Sequence, residues 1–76
     1  MQVRLLAFAH TEQQTGFRER VVECNSSDTP RELWQRAAPA LDPRGLRVAV
    51  DCEYHDWDQP IGNATEIALI PPVSGG

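Results

Sequence analysis

One stretch of this chain combines residue types and spacing that could do chemistry on another molecule. It reads Pro71-Pro72-Val73-Ser74-Gly75-Gly76 and closes the 76-residue sequence. Directly before it lies an apolar, strand-like run, Glu66-Ile67-Ala68-Leu69-Ile70. Proline lacks the N–H that a sheet ladder needs and fixes φ, so the two prolines end the strand and send the chain outward, extended. Each residue adds at most about 3.3–3.6 Å, so six project on the order of 20 Å. Gly75 and Gly76 carry no Cβ. They fit a slot too narrow for any other residue and take φ values closed to others. No side chain blocks approach to the α-carboxylate of Gly76. These properties suit a carboxylate pushed into another protein's active site. A frayed terminus or a cloning scar is the competing reading of a bare Gly-Gly. A Pro-Pro spacer set on a strand end favours delivery.

Other reactive residue types are present without a motif to organise them. His10 sits at a strand end, and no Ser, Cys or carboxylate stands at a triad-like spacing from it. Cys24 and Cys52 form no C-x-x-C and have no partnered His, so zinc and redox sites are not expected. Asp51, Glu53, His55, Asp56 and Asp58 crowd together but miss the glycine and terminal glutamate of an EF-hand loop. They read as an acidic hairpin rim, and no metal is expected.

The bulk numbers narrow the function classes. Seventy-six residues make one domain with a small core. Apolar content of 41% marks a globular chain. A net charge of −4 argues against nucleic acid, which needs a basic face, and permits a partner with a basic docking surface. All seven basic residues are arginine. Two causes are open: a GC-rich coding sequence, or the advantage of having no ε-amine near an activated acyl group. Neither a signal peptide nor an apolar run of membrane-spanning length is evident. A cytoplasmic protein with two reduced thiols is expected.

The elements that must carry the tail can be read in order. Val3–Ala9 is a first strand, apolar on both faces and therefore central, with Leu6 and Phe8 on one side and Val3, Leu5 and Ala7 on the other. One set faces the core and the other is free to face a partner. His10–Gly16 is a loop or one helical turn with a Gly cap. Phe17–Cys24 is a charged edge strand, antiparallel to the first. Thr29-Pro30-Arg31-Glu32 opens a helix with a capping box and proline at its first position. Leu33, Trp34, Ala37, Ala38 and Leu41 form its apolar stripe, and Pro39 ends it near Ala38. Leu46–Val50 is a third strand, with Arg47 and Ala49 on the face opposite Leu46, Val48 and Val50. Asp51-Cys52-Glu53 turns the chain, Tyr54–Trp57 returns, and Thr65–Ile70 is the last strand, placed parallel to the first. The order β-β-α-β-β-β implies an α+β roll with one main helix on one face of a mixed sheet.

With this order in hand, the chain resembles the small subunit of molybdopterin synthase, a ubiquitin-like β-grasp sulfur carrier. The resemblance spans the whole length. Its specific part is the strand-Pro-Pro-Val-small-Gly-Gly ending from Glu66 to Gly76. The opening Val-Arg-Leu-Leu-Ala-Phe-Ala and the Asp58-Gln59-Pro60-Ile61 segment are also similar to the family. The resemblance implies a β-grasp domain over residues 1–70 and an extended tail over 71–76. It implies that Gly76 is adenylated by a ubiquitin-activating-type enzyme using ATP and Mg²⁺. A persulfide protein then supplies the sulfur of a thiocarboxylate. The large subunit of the synthase, in a heterotetramer, receives the tail along Pro71, Pro72, Val73, Ser74, Gly75 and Gly76. This chain would bind no cofactor of its own, and the catalytic side chains would belong to its partners. Leu6 and Phe8 are the candidates for a docking face. Three other readings fit parts of the sequence: a sulfur carrier for another pathway, a ubiquitin-like modifier of protein lysines, and a β-grasp binding module with an inert tail.

Overall fold

The computed structural model describes residues 1–71; Pro72, Val73, Ser74, Gly75 and Gly76 lie outside the described residues. Five strands and two helices follow in the order β1 (Gln2–Leu6), α1 (Thr11–Thr15), β2 (Glu19–Glu23), α2 (Pro30–Ala37), β3 (Arg47–Val50), β4 (Glu53–His55) and β5 (Glu66–Ile70). The strands form one mixed sheet in the order β2-β1-β5-β3-β4. β1 and β5 are parallel neighbours at its centre, with Leu5 opposite Ile67 and Leu6 opposite Ala68. β2 and β4 are the edges, and the charges on β2 suit a strand that must not recruit another.

Alternation along the strands decides which face the helix covers. Val3, Leu5, Val48, Ile67 and Leu69 point to one side and meet Leu33, Trp34 and Ala38 in a continuous core. Leu5, Ile67 and Leu69 are fully buried, and each such side chain stabilises the fold by about 1.5–3 kcal/mol through lost water contact. Trp34 stacks on Phe17 with ring centroids 5.9 Å apart, tying α2 to the segment between α1 and β2.

α2 starts where its capping chemistry dictates. Thr29 Oγ1 accepts from the backbone N–H of Glu32 at 3.2 Å, and the Glu32 carboxylate accepts from the backbone N–H of Thr29 at 3.0 Å. Two orphan donors of the first turn are thereby satisfied. Pro30 takes the first helical position, and the helix stops at Ala37, just before Pro39.

Some strand limits differ from the sequence reading, for identifiable reasons. β1 ends at Leu6 and not Ala9, because Thr11 Oγ1 bonds both the N–H and the carbonyl of Phe8 and pulls the chain into a turn. Ala9 enters the left-handed region there, at φ 53°. β2 is shorter than Phe17–Cys24. β4 ends at His55, because Asp56 accepts from the backbone N–H of Asp58 and turns the chain away. The freed Trp57 donates its indole N–H to the Leu46 carbonyl at 3.1 Å.

The β3–β4 hairpin closes through two left-handed residues, Asp51 at φ 49° and Cys52 at φ 72°. Tight two-residue turns favour this geometry, usually with Asn or Gly. Here the Asp51 carboxylate compensates. One of its oxygens accepts from the backbone N–H of Thr65 at 3.0 Å, the Thr65 hydroxyl at 2.8 Å and the backbone N–H of Glu66 at 3.0 Å. The turn is thus locked to the first residue of β5. Asp51→Ala should cost about 1 kcal/mol in a urea titration, because those donors lose a charged acceptor and water replaces it only in part.

Candidate functional site

β5 is the element that positions the tail. It is held on both sides, parallel to β1 and antiparallel to β3, so the chain leaves the sheet from a fixed central position. Ile70, its last residue, is level with Arg47 at the start of β3. Pro71 is half-buried at this exit. The other tail candidates, Pro72, Val73, Ser74, Gly75 and Gly76, are the ones outside the described residues.

Among the described residues, nothing covers the sheet face opposite α2. Leu6, Phe8, Ala49, Cys52, Tyr54, Glu66, Ala68 and Ile70 line a shallow concavity on it, of about 400 Å³. Phe8 is 45% exposed and Tyr54 62%, large values for aromatic side chains. The face is apolar at its centre because Ala49 and Ala68, cross-strand partners, are small and let Leu6, Phe8, Tyr54 and Ile70 form the walls. The two sequence candidates, Leu6 and Phe8, therefore sit together here, at the sheet end from which the tail departs.

The rim carries charge. The Arg4 guanidinium meets the Glu66 carboxylate at 2.9 Å. The Arg47 guanidinium lies over the Tyr54 ring, 3.9 Å from its centroid. Sequence reading set Arg47 and Ala49 opposite Leu46, Val48 and Val50 on their strand without joining them to Leu6 and Phe8 or giving them a role, and it missed Tyr54. The signal that could have found the face is the pairing of small residues, Ala49 and Ala68, on two strands that are apolar on both sides.

Other candidate groups are occupied elsewhere. Asp58 pairs with Arg31 at 2.7 Å, and that guanidinium beside it lowers its pKa. Asp51 is taken up by the hairpin lock, and its carboxyl is likewise held below the usual range by the Thr65 donors. Among the described residues, no three His, Cys, Asp or Glu side chains cluster closely enough to hold a metal ion. His10 is exposed at the start of α1 and caps nothing with its side chain. Cys24 is buried and burial pushes its thiol pKa up, whereas Cys52 is exposed, with its sulfur 3.8 Å from Glu66 Oε1. Among the described residues, no helix is long and apolar enough to cross a membrane.

Asp28 is the buried carboxylate of the helix side. It accepts from the backbone N–H of Asn25 at 2.8 Å and from Arg36 at 3.0 Å, and both bonds lower its pKa. Its contribution to stability, with that of Asp51, is complete above the ordinary carboxylate range. It is lost as pH falls through the depressed folded-state pKa values. The urea midpoint should accordingly fall between pH 6 and pH 3, and fall less in an Asp28→Asn, Asp51→Asn double variant.

A five-stranded mixed sheet in this order, with one capped helix across one face and a Pro-Pro-led tail on its central strand, defines a ubiquitin-like β-grasp protein. The chain belongs to the ThiS family, whose model matches residues 5–76. SAMP1 from Haloferax volcanii is similar in structure, with a TM-score of 0.79, at 25% identity over 100% of both chains. A putative molybdopterin converting factor, subunit 1, from Pyrococcus furiosus gives a TM-score of 0.74 at 21% identity, covering 96% of this chain and 99% of that one. The small archaeal modifier protein 1 from Methanosarcina acetivorans gives 0.70 at 17% identity, covering 99% and 96%. The last two likenesses establish the shared fold. Family membership supports a sulfur-carrier role.

Proposed function

We propose that this chain is a cytoplasmic sulfur carrier of molybdenum cofactor biosynthesis, acting as the small subunit of molybdopterin synthase. The observation that carries the reading is β5. It lies at the centre of the sheet and leads directly into Pro71 beside an apolar face that no described residue covers. The family match, running to Gly76, and the fold shared with a protein titled molybdopterin converting factor subunit 1 add support.

A carboxylate is a poor acyl donor because its leaving group would be oxide. An adenylating enzyme of the ubiquitin-activating type uses ATP and Mg²⁺ to join Gly76 to AMP and release pyrophosphate. The terminal sulfur of a persulfide displaces AMP, giving an acyl disulfide. A thiol cleaves the S–S bond, leaving the thiocarboxylate on Gly76 and a new disulfide on the donor side. The synthase large subunit holds the tail against its pterin substrate, the thiocarboxylate sulfur bonds to a pterin carbon with loss of an oxygen substituent, and water cleaves the resulting thioester, leaving the sulfur on the pterin and the carboxylate on Gly76. Much of the rate advantage is positional, because the tail makes the sulfur effectively intramolecular in the complex. The described part of this chain contributes docking and direction; the reacting side chains are the partners'.

The test is the intact mass after incubation with ATP, a persulfide donor and the adenylating enzyme of the same organism. The expected gain is one sulfur in place of one oxygen, mapped to Gly76. An unchanged mass with a proven-active enzyme would leave an inert binding module. A second reading, a modifier of protein lysines, is favoured by the likeness to SAMP1, a small archaeal modifier protein. It predicts higher-mass conjugates in cell extract. A carrier for another pathway would gain the same sulfur but co-purify with a different large partner.

A further inference from the structure

Trp57 belongs to no helix or strand, yet it is held at two points. Its indole N–H donates to the Leu46 carbonyl at 3.1 Å, and its own carbonyl accepts from the backbone N–H of Arg31 on α2 at 3.0 Å. The Arg31 guanidinium lies 5.8 Å from the ring centroid. The half-buried ring so fixed stands as a wall between two hollows. On one side Trp34, Pro39, Leu41 and Pro43 complete a cleft of about 150 Å³ with Trp57 and Arg31. On the other, Leu46, Arg47, His55, Asp56 and Asp58 line an open hollow with the same two residues.

The cleft's size and lining define what it takes. A hollow of this volume among apolar side chains accommodates one ring-sized apolar group. Aromatic walls suit proline-led segments, which are extended before they dock and lose little entropy on docking. This chain carries such a segment within reach. Pro71-Pro72-Val73-Ser74-Gly75-Gly76 follows Ile70, whose register partner Arg47 lines the open hollow. Trp57 comes just after β4, two strands from β5. At about 4.8 Å per strand the gap is about 10 Å, against the roughly 20 Å that the extended tail spans. Tethering also gives the tail a high effective concentration, so a contact too weak for a free peptide suffices.

We propose that the groove running from Arg47 past Trp57 to Pro39 and Pro43 is the resting seat of this chain's own tail, with Pro71-Pro72-Val73 against Trp57 and the Gly76 carboxylate beside Arg31. Arg31 gives its Nε and Nη2 donors to Asp58, and among the described residues its Nη1 donates to nothing. Those donors are open to a terminal carboxylate. Asp56 and Asp58 also line the hollow, and Arg31 with Arg47 offsets their charge. A seated tail is withheld from any slot that must receive it. A partner then binds only the open fraction, and its apparent affinity falls by that fraction. The inference stands apart from the sulfur-carrier reading, because nothing in it requires Gly76 to be activated.

The experiment uses the full chain carrying Cys52→Ser and Ser74→Cys, with a nitroxide spin label attached at position 74; Cys24 is buried and is spared. In an isotope-labelled sample, NMR signals of the Trp57 indole N–H and of the Gln35 and Leu41 backbone N–H groups should lose intensity. Val21, on the far edge strand, should keep its own. Adding Trp57→Ala should restore Gln35 and Leu41. Pro71→Ser with Pro72→Ser should restore them too. Both prolines lie outside the core cluster, so this variant decides the matter if the alanine variant folds poorly. Loss centred on Phe8 and Tyr54 would overturn the inference by laying the tail across the other sheet face. Weak, even loss everywhere would overturn it by leaving the tail in solvent. Loss at Trp57 of an isotope-labelled chain without a spin label, mixed with spin-labelled chain, would overturn it by making a second copy the occupant. Sulfur uptake measured on the same protein bears on the carrier reading alone.

Discussion

Deleting Gly76, or adding one alanine after it, will abolish sulfur loading without moving the unfolding midpoint. The two halves of this result have separate physical causes. On the proposed mechanism the reacting atom is the terminal carboxyl carbon, at the end of a tail whose root is fixed by β5. One residue fewer or more moves it by about 3.3–3.6 Å along an extended chain. A misplacement of about 1 Å can already cost on the order of 10²-fold. An added alanine also brings a Cβ to the terminal position that glycine leaves bare. Among the described residues, the core cluster runs from Val3 to Leu69, so the fold is expected to stand without the terminal glycine. The sulfur-specific mass gain and a urea titration on the same samples check both halves. A truncated chain that still accepts sulfur would sink the proposed mechanism.

Two kinds of sequence signal explain what could be read in advance. Local chemistry was legible wherever one residue type has one strong use. Thr29-Pro30-Arg31-Glu32 is a capping box in sequence and in structure, and Gly16, at φ 85°, ends α1 as a helix cap should. Apolar runs on both sides of a strand pointed to the parallel β1–β5 centre, because only a central strand buries so much. Features set by register were not legible. Arg47 reaches Tyr54 because Ala49 pairs with Tyr54, which makes Arg47 its diagonal neighbour across the strands. Nothing in the spacing of residues 47 and 54 announces that contact. The Asp51-Cys52 turn carries two positive φ values without Asn or Gly, and its compensation comes from Thr65 and Glu66, far along the chain. Leu6 and Phe8 were separable from the core set by alternation alone. Their neighbours Ala49, Tyr54, Ala68 and Ile70 needed the strand order.

The largest stability effect is expected at Trp34, and two substitutions there should behave very differently. The side chain is 1% exposed, stacks on Phe17 and joins α2 to the sheet. Trp34→Ala removes this contact and leaves a cavity that rigid strands cannot collapse into, for a cost of about 3–5 kcal/mol. A domain of this size has roughly 4–11 kcal/mol in total, at 0.05–0.15 kcal/mol per residue. The alanine variant therefore loses a large share of the total and unfolds at a much lower urea concentration. Trp34→Phe is the informative comparison. The indole Nε1 has no hydrogen-bond partner among the described residues and is shut off from solvent. A buried, unsatisfied donor costs about 1–3 kcal/mol. Phenylalanine removes that burden while keeping a ring against Phe17, so part of the lost packing is offset. The net change should stay within about 1.5 kcal/mol of wild type, read from urea unfolding followed by far-UV circular dichroism. Equal losses for the two variants would mean that the N–H is in fact satisfied in solution. Trp34 would then hold the core through its hydrogen bond as much as through its ring. A small loss for phenylalanine would identify packing against Phe17 as what the helix requires, with the indole nitrogen tolerated at a cost.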